Sequence, residues 1–337
     1  MNPLDFRIMP ERADYEYIAE RYPWAYKKGS PMIISLDLDG IISAMLMATL
    51  LDWRLVGFYN ASKLWVEGDI DWLAGEAVFL DHDIYRANIP SIGHHILQWR
   101  GDVPTPLHQE SLNPNLLRGI SKQNTFSQKY PFGTVHFLLA CLNAHYESEV
   151  LELPRDFMPI LIQVDSSFQS AFTYQRNALE WMEWLGGSDE QSPLYPLCHS
   201  LMSTSPRRLL EWTLWYDDEM RNLGFGSKRR YSSRRRQGQV DSPVGEGWKI
   251  LQVLIDWLYQ RSPWFMVTPD FEQLRATGNL EIVELKRGSM RPTKGRFENL
   301  MKKRPFSYAI ISSSDEGLNY AFLPQSSLRA MRQNPEE

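Results

Sequence analysis

The chain has 337 residues, 43% of them hydrophobic and 23% charged, a balance that excludes a disordered, fibrous or membrane-embedded protein and leaves room for two domains or one α/β domain with a sizeable appendage. A formal net charge of -5 argues against indiscriminate binding to a polyanion, because the field of the whole protein would repel it. Two cysteines, Cys141 and Cys198, stand far apart without a CxxC partner, so neither a disulfide framework nor a thiolate zinc site is indicated.

Residues 1–30 read as a preamble, with a helical stretch at ADYEYIAERY ending before Pro23. The opening residues carry acids where a secretory leader needs a basic start and a continuous apolar run, and a cytoplasmic location is expected. MIISLDLDG is an apolar run ending in carboxylates, followed by the helical pattern IISAMLMATLLDW, which is the strand, loop and helix of an α/β unit. That helix stops at Asp52 and Arg54, too short for a bilayer. RLVGFYN reads as a second strand, AVFLDHD as a third with acids at its end, PSIGHHIL as a fourth with histidines there, and MPILIQVDSS as a fifth ending at Asp165. GTVHFLLACLNAHY, Gly133 to Tyr146, has helical periodicity. Apolar strands that each deliver polar, metal-competent side chains at their C-terminal ends predict a mainly parallel sheet flanked by helices, with a site along its carboxyl edge.

Beyond Asp165 the pattern turns helical, beginning with AFTYQRNALEWMEWLGG, which closes at a glycine pair. Seven of the twelve tryptophans fall between Trp181 and Trp264, as expected for helices packed through aromatics. The stretch 225–246 reads as a basic loop, GWKILQVLIDWLYQRS as an amphipathic helix, and WFMVT, LEIVELKRG, FSYAIISSS and NYAFLP as short strands. The expected organisation is a preamble over 1–30, an α/β domain over 31–170, a helical connector over 171–260 and a small mixed α/β domain over 261–330.

Three clusters could carry chemistry. Asp37 and Asp39 in Asp37-Leu38-Asp39-Gly40 can both reach one hard cation where the chain leaves the sheet, and the glycine permits that exit. Asp81-His82-Asp83 repeats the arrangement, and the pair His94-His95 follows after one short crossover. Carboxylates mixed with imidazoles suit manganese, iron or zinc better than calcium or magnesium, with manganese the first choice. His108, His136, His145 and His199 are singletons and read as ordinary helix or loop residues.

The order of these features resembles the DHH superfamily of phosphoesterases, especially its RecJ-like branch, over residues 31–170: DxDG and helix, strand ending in Asp, crossover, strand ending in HH, a GxxxxLL helix, and a further segment ending in Asp. The resemblance implies a first motif of Asp37 and Asp39, a metal-bridging second motif at Asp81, a third at His94 and His95, and a fourth at Asp165. It further implies that Asp37, Asp39, Asp81, His94 and Asp165 bind one or two divalent metal ions, Mn2+ first and Mg2+ or another as alternatives, and that His95 contacts the scissile phosphate. A phosphodiester in an oligonucleotide or nucleotide would be cleaved by a metal-activated water, with no nucleophilic serine or cysteine.

This chain departs from that pattern at three places. Gly93 stands where the family name expects an aspartate, and Ile33 where the family carries a metal-binding histidine, so His82 or Asp83 would have to substitute at a second metal. No glycine-rich substrate loop appears after residue 240. The run Lys228, Arg229, Arg230, Arg234, Arg235 and Arg236, with Tyr231 inside it, could track the backbone of a single-stranded nucleic acid or be a solvated loop. Two other readings compete with a phosphoesterase. One is a degenerate DHH-like domain acting as a non-catalytic nucleic-acid-binding or scaffold subunit. The other is a HAD-type phosphatase, whose first aspartate attacks phosphate covalently.

Overall fold

Asp14 starts the first helix, α1 (Tyr15–Arg21), by accepting the Tyr17 N–H, and a short 3-10 turn then leads to β1 (Pro31–Ser35). The computed structural model describes residues 12–101, 105–145, 153–167, 172–203, 205–225, 238–325 and 327. Proline is tolerated as the first residue of a strand, where no ladder hydrogen bond from its nitrogen is needed. In β1, Met32 and Ile34 point into one apolar cluster and Ile33 into a second on the other face of the sheet. A strand covered on both sides accounts for the unbroken apolar run.

α2 (Leu38–Leu51) is buried almost all the way round in its first turns and stops at Asp52, which adopts a left-handed conformation. β2 (Arg54–Tyr59), β3 (Lys63–Glu67), β4 (Val78–Leu80), β5 (Ser91–Ile92) and β6 (Ser111–Leu112) follow, with α3 (Pro114–Leu117) after them. The helices α4 (Thr134–Asn143), α5 (Met158–Leu161), α6 (Gln175–Trp184), α7 (Tyr195–Ser203), α8 (Pro206–Asn222), α9 (Glu246–Tyr259) and α10 (Phe271–Ala276) come next. The chain ends in β7 (Leu280–Glu284), β8 (Lys286–Met290), α11 (Lys294–Lys302), β9 (Ser307–Ile310) and β10 (Leu318–Phe322).

The fold is α/β. A seven-stranded mixed sheet runs in the order β6-β5-β4-β1-β2-β3-β7, and a three-stranded antiparallel sheet in the order β8-β10-β9. The ladder from β6 to β2 is parallel throughout, while β3 is antiparallel to both of its neighbours. From β1 the chain passes first to β2 on one side and later to β4 on the other. The crevice at the carboxyl ends of β1 and β4 is therefore a topological switch point, the place where open α/β sheets gather ligands.

Two segments differ from the sequence expectation. MPILIQVDSS, expected as a fifth strand, is instead α5 and a 3-10 turn over Val164–Ser166. A short, wholly buried apolar run carries no period that separates strand from helix, and Pro159 in the first turn favours the helix. WFMVT joins no strand; Phe265 instead exchanges hydrogen bonds with Thr49 through its N–H and carbonyl, at 2.9 and 3.0 Å. Strands from the expected C-terminal domain divide between the two sheets, since β7 pairs with β3 at the edge of the larger one. The small sheet is pinned beside the carboxyl ends of β4 and β5 by bridges from Ile84 to Ser307 and from Ile96 to Ile310. Among the described residues no helix is long and apolar enough to cross a membrane.

Candidate metal centre

The centre begins at the end of β1. Asp37 caps α2 by accepting the Gly40 N–H at 3.2 Å, and its Oδ1 also lies 2.6 Å from Ser35 Oγ. A Cβ on Gly40 would lie 2.2 Å from Ser35 Oγ and 2.8 Å from its carbonyl oxygen, so only glycine lets the helix start this close to the strand it leaves. Two residues further into the chain, Asp39 is buried against the start of α4: its Oδ2 accepts the Thr134 N–H at 2.6 Å and its Oδ1 the Val135 N–H at 3.0 Å. Free N–H groups and the positive end of the helix dipole suit a carboxylate there. Gly133 makes the approach possible, because a Cβ on it would stand 2.6 Å from Asp39 Oδ2.

Directly after β4 comes Asp81, whose left-handed backbone (φ 61°) turns the chain off the sheet. Aspartate tolerates that conformation better than most residues. Its carboxylate accepts the Thr134 hydroxyl at 2.7 Å on one oxygen, and the other lies 2.7 Å from Ser35 Oγ, whose single proton serves either Asp81 or Asp37. Just beyond β5, His94 is buried with Nδ1 2.9 Å from Thr134 Oγ1 and 3.3 Å from Asp81 Oδ1, and Nε2 3.0 Å from Asp165 Oδ2. Asp165, also left-handed (φ 47°), reaches the same place from the 3-10 turn. Although its segment is helical rather than extended, it delivers its carboxylate to the expected centre.

Asp39, Asp81 and His94 each offer a ligand atom, all within 4.8 Å of one another, and all three residues are buried. Asp37 joins through Ser35 and Asp165 through His94, so the five expected ligands belong to one hydrogen-bonded network. His82 and Asp83 point elsewhere. His82 Nε2 lies 2.9 Å from the Tyr59 carbonyl oxygen, and Asp83 accepts the Asn113 side-chain N–H at 2.7 Å and the His95 N–H at 3.3 Å. Ile33 is fully buried in the apolar cluster on the opposite face.

Asp83 also explains Gly93. A Cβ at residue 93 would lie 2.4 Å from Asp83 Oδ1, so the carboxylate from the neighbouring strand end fills the space that an aspartate at 93 would need. It lies 3.4 Å from His95 Nδ1, and Asn113 holds both Asp83 and the His95 carbonyl, the latter at 3.0 Å. Asn115 fixes the His94 carbonyl at 2.6 Å, and the two imidazoles stack at 4.3 Å. His95 is the more open of the two and, with His82, Asp83, Ser307, Asn319 and Tyr320, lines a cavity of about 100 Å³ between the two sheets.

Burial and crowding set the charges against one another. Enclosure by protein, and then Asp81, push the Asp37 carboxyl up to about 7. Asp39 is raised well above the carboxylate range by burial and then Asp81. For Asp81 burial acts upward, but the hydrogen bond and charge of His94 outweigh it and hold the group low. Burial acts downward on His94, where Asp165 and Asp81 outweigh it and raise it well above the ordinary imidazole value. Asp39 and Asp81 buried beside one imidazole, with Asp37 and Asp165 half-buried at the edge, are an excess of negative charge and a donor set that fits a divalent cation.

The basic run Lys228, Arg229, Arg230, Arg234, Arg235 and Arg236 lies outside the described residues. Sequence reasoning missed Ser35, Thr134, Asn113, Asn115 and the orienting role of Asp83. Only the Gly133-Thr134 helix start left a local signal. Comparison with protein-family models, with curated proteins and with solved structures finds no match for this chain.

Proposed function

We propose that the chain is a metal-dependent phosphoesterase of the DHH type, RecJ-like in its motif order, acting on a phosphodiester in an oligonucleotide or nucleotide. One observation carries the reading: four acids and an imidazole from four separate segments, at residues 37 and 39, 81, 94 and 165, meet in one network at the carboxyl edge of the sheet. A purely structural network has little reason to bury Asp39 and Asp81 beside a single histidine with two more carboxylates at the edge, because unneutralised buried charge is costly.

Asp39, Asp81 and His94 would hold the cation, with Asp37 and Asp165 beside them; the mixed oxygen and nitrogen set suits manganese. When bound, a divalent cation supplies Lewis acidity, neutralising charge on phosphate oxygens and acidifying water. The chain's own groups do the rest. Thr134 holds Asp81 and His94 in register, and Asp83 and Asn113 set the orientation of His95. His95, facing the cavity beside the small sheet, is placed to hydrogen-bond a phosphate oxygen that enters there.

The test is manganese binding by the purified protein, followed by hydrolysis of bis(p-nitrophenyl) phosphate and single-stranded oligonucleotides. The expected outcome is bound metal and turnover, both lost in Asp81→Ala; full activity in that variant removes the proposed centre. A non-catalytic nucleic-acid-binding or scaffold role draws on Ile33, whose burial on the other face leaves no second imidazole to join His94 from β1. That reading expects metal bound without hydrolysis of any diester.

A further inference from the structure

A second cavity, about 550 Å³, opens between the loop before α4, the start of α6 and the segment after β9. Two of its lining segments continue along the chain toward the metal centre. Lys129 precedes Tyr130, whose ring centroid lies 6.3 Å from that of His94 and whose hydroxyl donates to the Gly133 carbonyl at 3.2 Å. Ile311, Ser312 and Ser313 follow Ile310, the bridge partner of Ile96, the residue next after His95. α6 is strapped to the same loop by Asn177, donating to the Lys129 carbonyl at 2.9 Å, and by Trp181 Nε1, donating to the Gln128 carbonyl at 2.8 Å.

The cavity is basic and aromatic, unlike the acidic centre beside it. Lys129 lines it and gives one N–H to the Ile311 carbonyl at 3.0 Å. Lys122 stands at its rim, bonded to Ser313 Oγ and 3.5 Å above the centroid of Phe126. Among the described residues neither ammonium is in an ion pair with a carboxylate, and each keeps further N–H donors. Burial and then the neighbouring Lys129 lower the Lys122 pKa, and burial lowers Lys129 while the nearby Asp165 carboxylate acts upward on it. Tyr174 lines the same cavity with 60% of its surface exposed, and Ser127 adds a hydroxyl.

We propose that this cavity seats a nucleotide unit of the substrate next to the scissile bond, its phosphate paired with Lys122 and Lys129 and its base laid on Tyr174. The size lies within the range of about 300–1,000 Å³ usual for small-molecule sites. The assignment rests on the phosphodiester reading and adds to it where a base and its phosphate are held. Phosphate alone would need the lysines but not the exposed ring; stacking on an aromatic face is how bases are held without sequence preference.

The experiment is a calorimetric titration of the full chain in EDTA with adenosine 5′-monophosphate and, separately, with orthophosphate. Wild-type protein is expected to bind the nucleotide more tightly than orthophosphate. Lys129→Met, which keeps the length of the side chain, should weaken nucleotide binding about tenfold or more through loss of a charge-assisted hydrogen bond. Tyr174→Ala, at an exposed position, should weaken it roughly fivefold or more while leaving orthophosphate unaffected. No nucleotide binding at millimolar concentration, or unchanged affinity in both variants, overturns the proposal. Equal affinity for both ligands with no effect of Tyr174→Ala overturns the nucleotide assignment. A parallel manganese titration, comparing wild type with Asp39→Asn, reads the metal centre separately, so its failure is distinguishable from failure of the nucleotide seat.

Discussion

Asp83 meets His95 rather than the cluster of Asp39, Asp81 and His94. The carboxylate sits within reach of the His95 N–H and Nδ1 and is itself held by Asn113, so it sets which way the imidazole faces without joining the centre. Groups that orient a reacting or ligating imidazole typically contribute about 10- to 100-fold to activity or affinity. Asp83→Asn is therefore expected to lower diester hydrolysis by about that factor. Manganese affinity, measured by titration calorimetry, should stay close to wild type, since none of the three clustered ligands changes. At Gly93 the constraint is space: a methyl group would meet Asp83 Oδ1 at 2.4 Å and the His82 carbonyl oxygen at 2.7 Å. Gly93→Ala should destabilise the fold by about 1–3 kcal/mol, the usual cost of overpacking, as read from a urea unfolding midpoint. The pairing of Asp83 with Gly93 was not legible from sequence, because it depends on which strand ends are neighbours in the sheet.

At the scale of elements, the glycines and the helix starts place the chemistry. α2 begins against β1 only because Gly40 carries no side chain, and α4 begins against Asp39 only because Gly133 carries none. The helix after DxDG was readable, although it starts at Leu38 within the motif rather than after it, and so were the helix from Gly133 and the amphipathic period of α9, whose buried face includes Leu251, Leu254 and Leu258. Leu254→Ala should cost about 2–5 kcal/mol, the range for removing a fully buried leucine side chain. Equilibrium unfolding followed by circular dichroism measures it. The segment at 158–166 was misread as a strand because continuous burial erases periodicity. β3 and β6 escaped notice: β6 is two residues long, and β3 is defined by its partners on both sides.

The whole molecule adds linkages that no one element owns. His108 is buried between the sheets; Tyr308 donates its hydroxyl to the Leu97 carbonyl at 2.6 Å, leaving its oxygen for His108 Nε2 at 2.8 Å. Burial lowers the His108 imidazole to about 4. Between the ordinary value near 6.5 and that lowered one, the unfolded chain binds a proton that the folded chain refuses. Its contribution is complete above the ordinary value, is lost as pH falls through the window at up to about 1.4 kcal/mol per pH unit, and changes no further below it. Urea unfolding at pH 7, 5.5 and 4 should show that slope, and His108→Gln should flatten it. Metal gives a second linkage. Manganese at a hundredfold excess over its Kd should raise unfolding free energy by about 2.7 kcal/mol, an increase lost in Asp81→Ala.

By itself the sequence determined the α/β class and the mainly parallel strands and marked Asp37, Asp39, Asp81, His94 and Asp165 as candidates, since strand ends, helix starts and short motifs are local properties of the chain. Only the tertiary structure decided that these five share one network, that His82 turns away to Tyr59, and that Asp83 stands in the space beside Gly93. Those outcomes depend on strand order and on contacts between residues as far apart as 35 and 81 or 94 and 165, which periodicity and spacing do not encode.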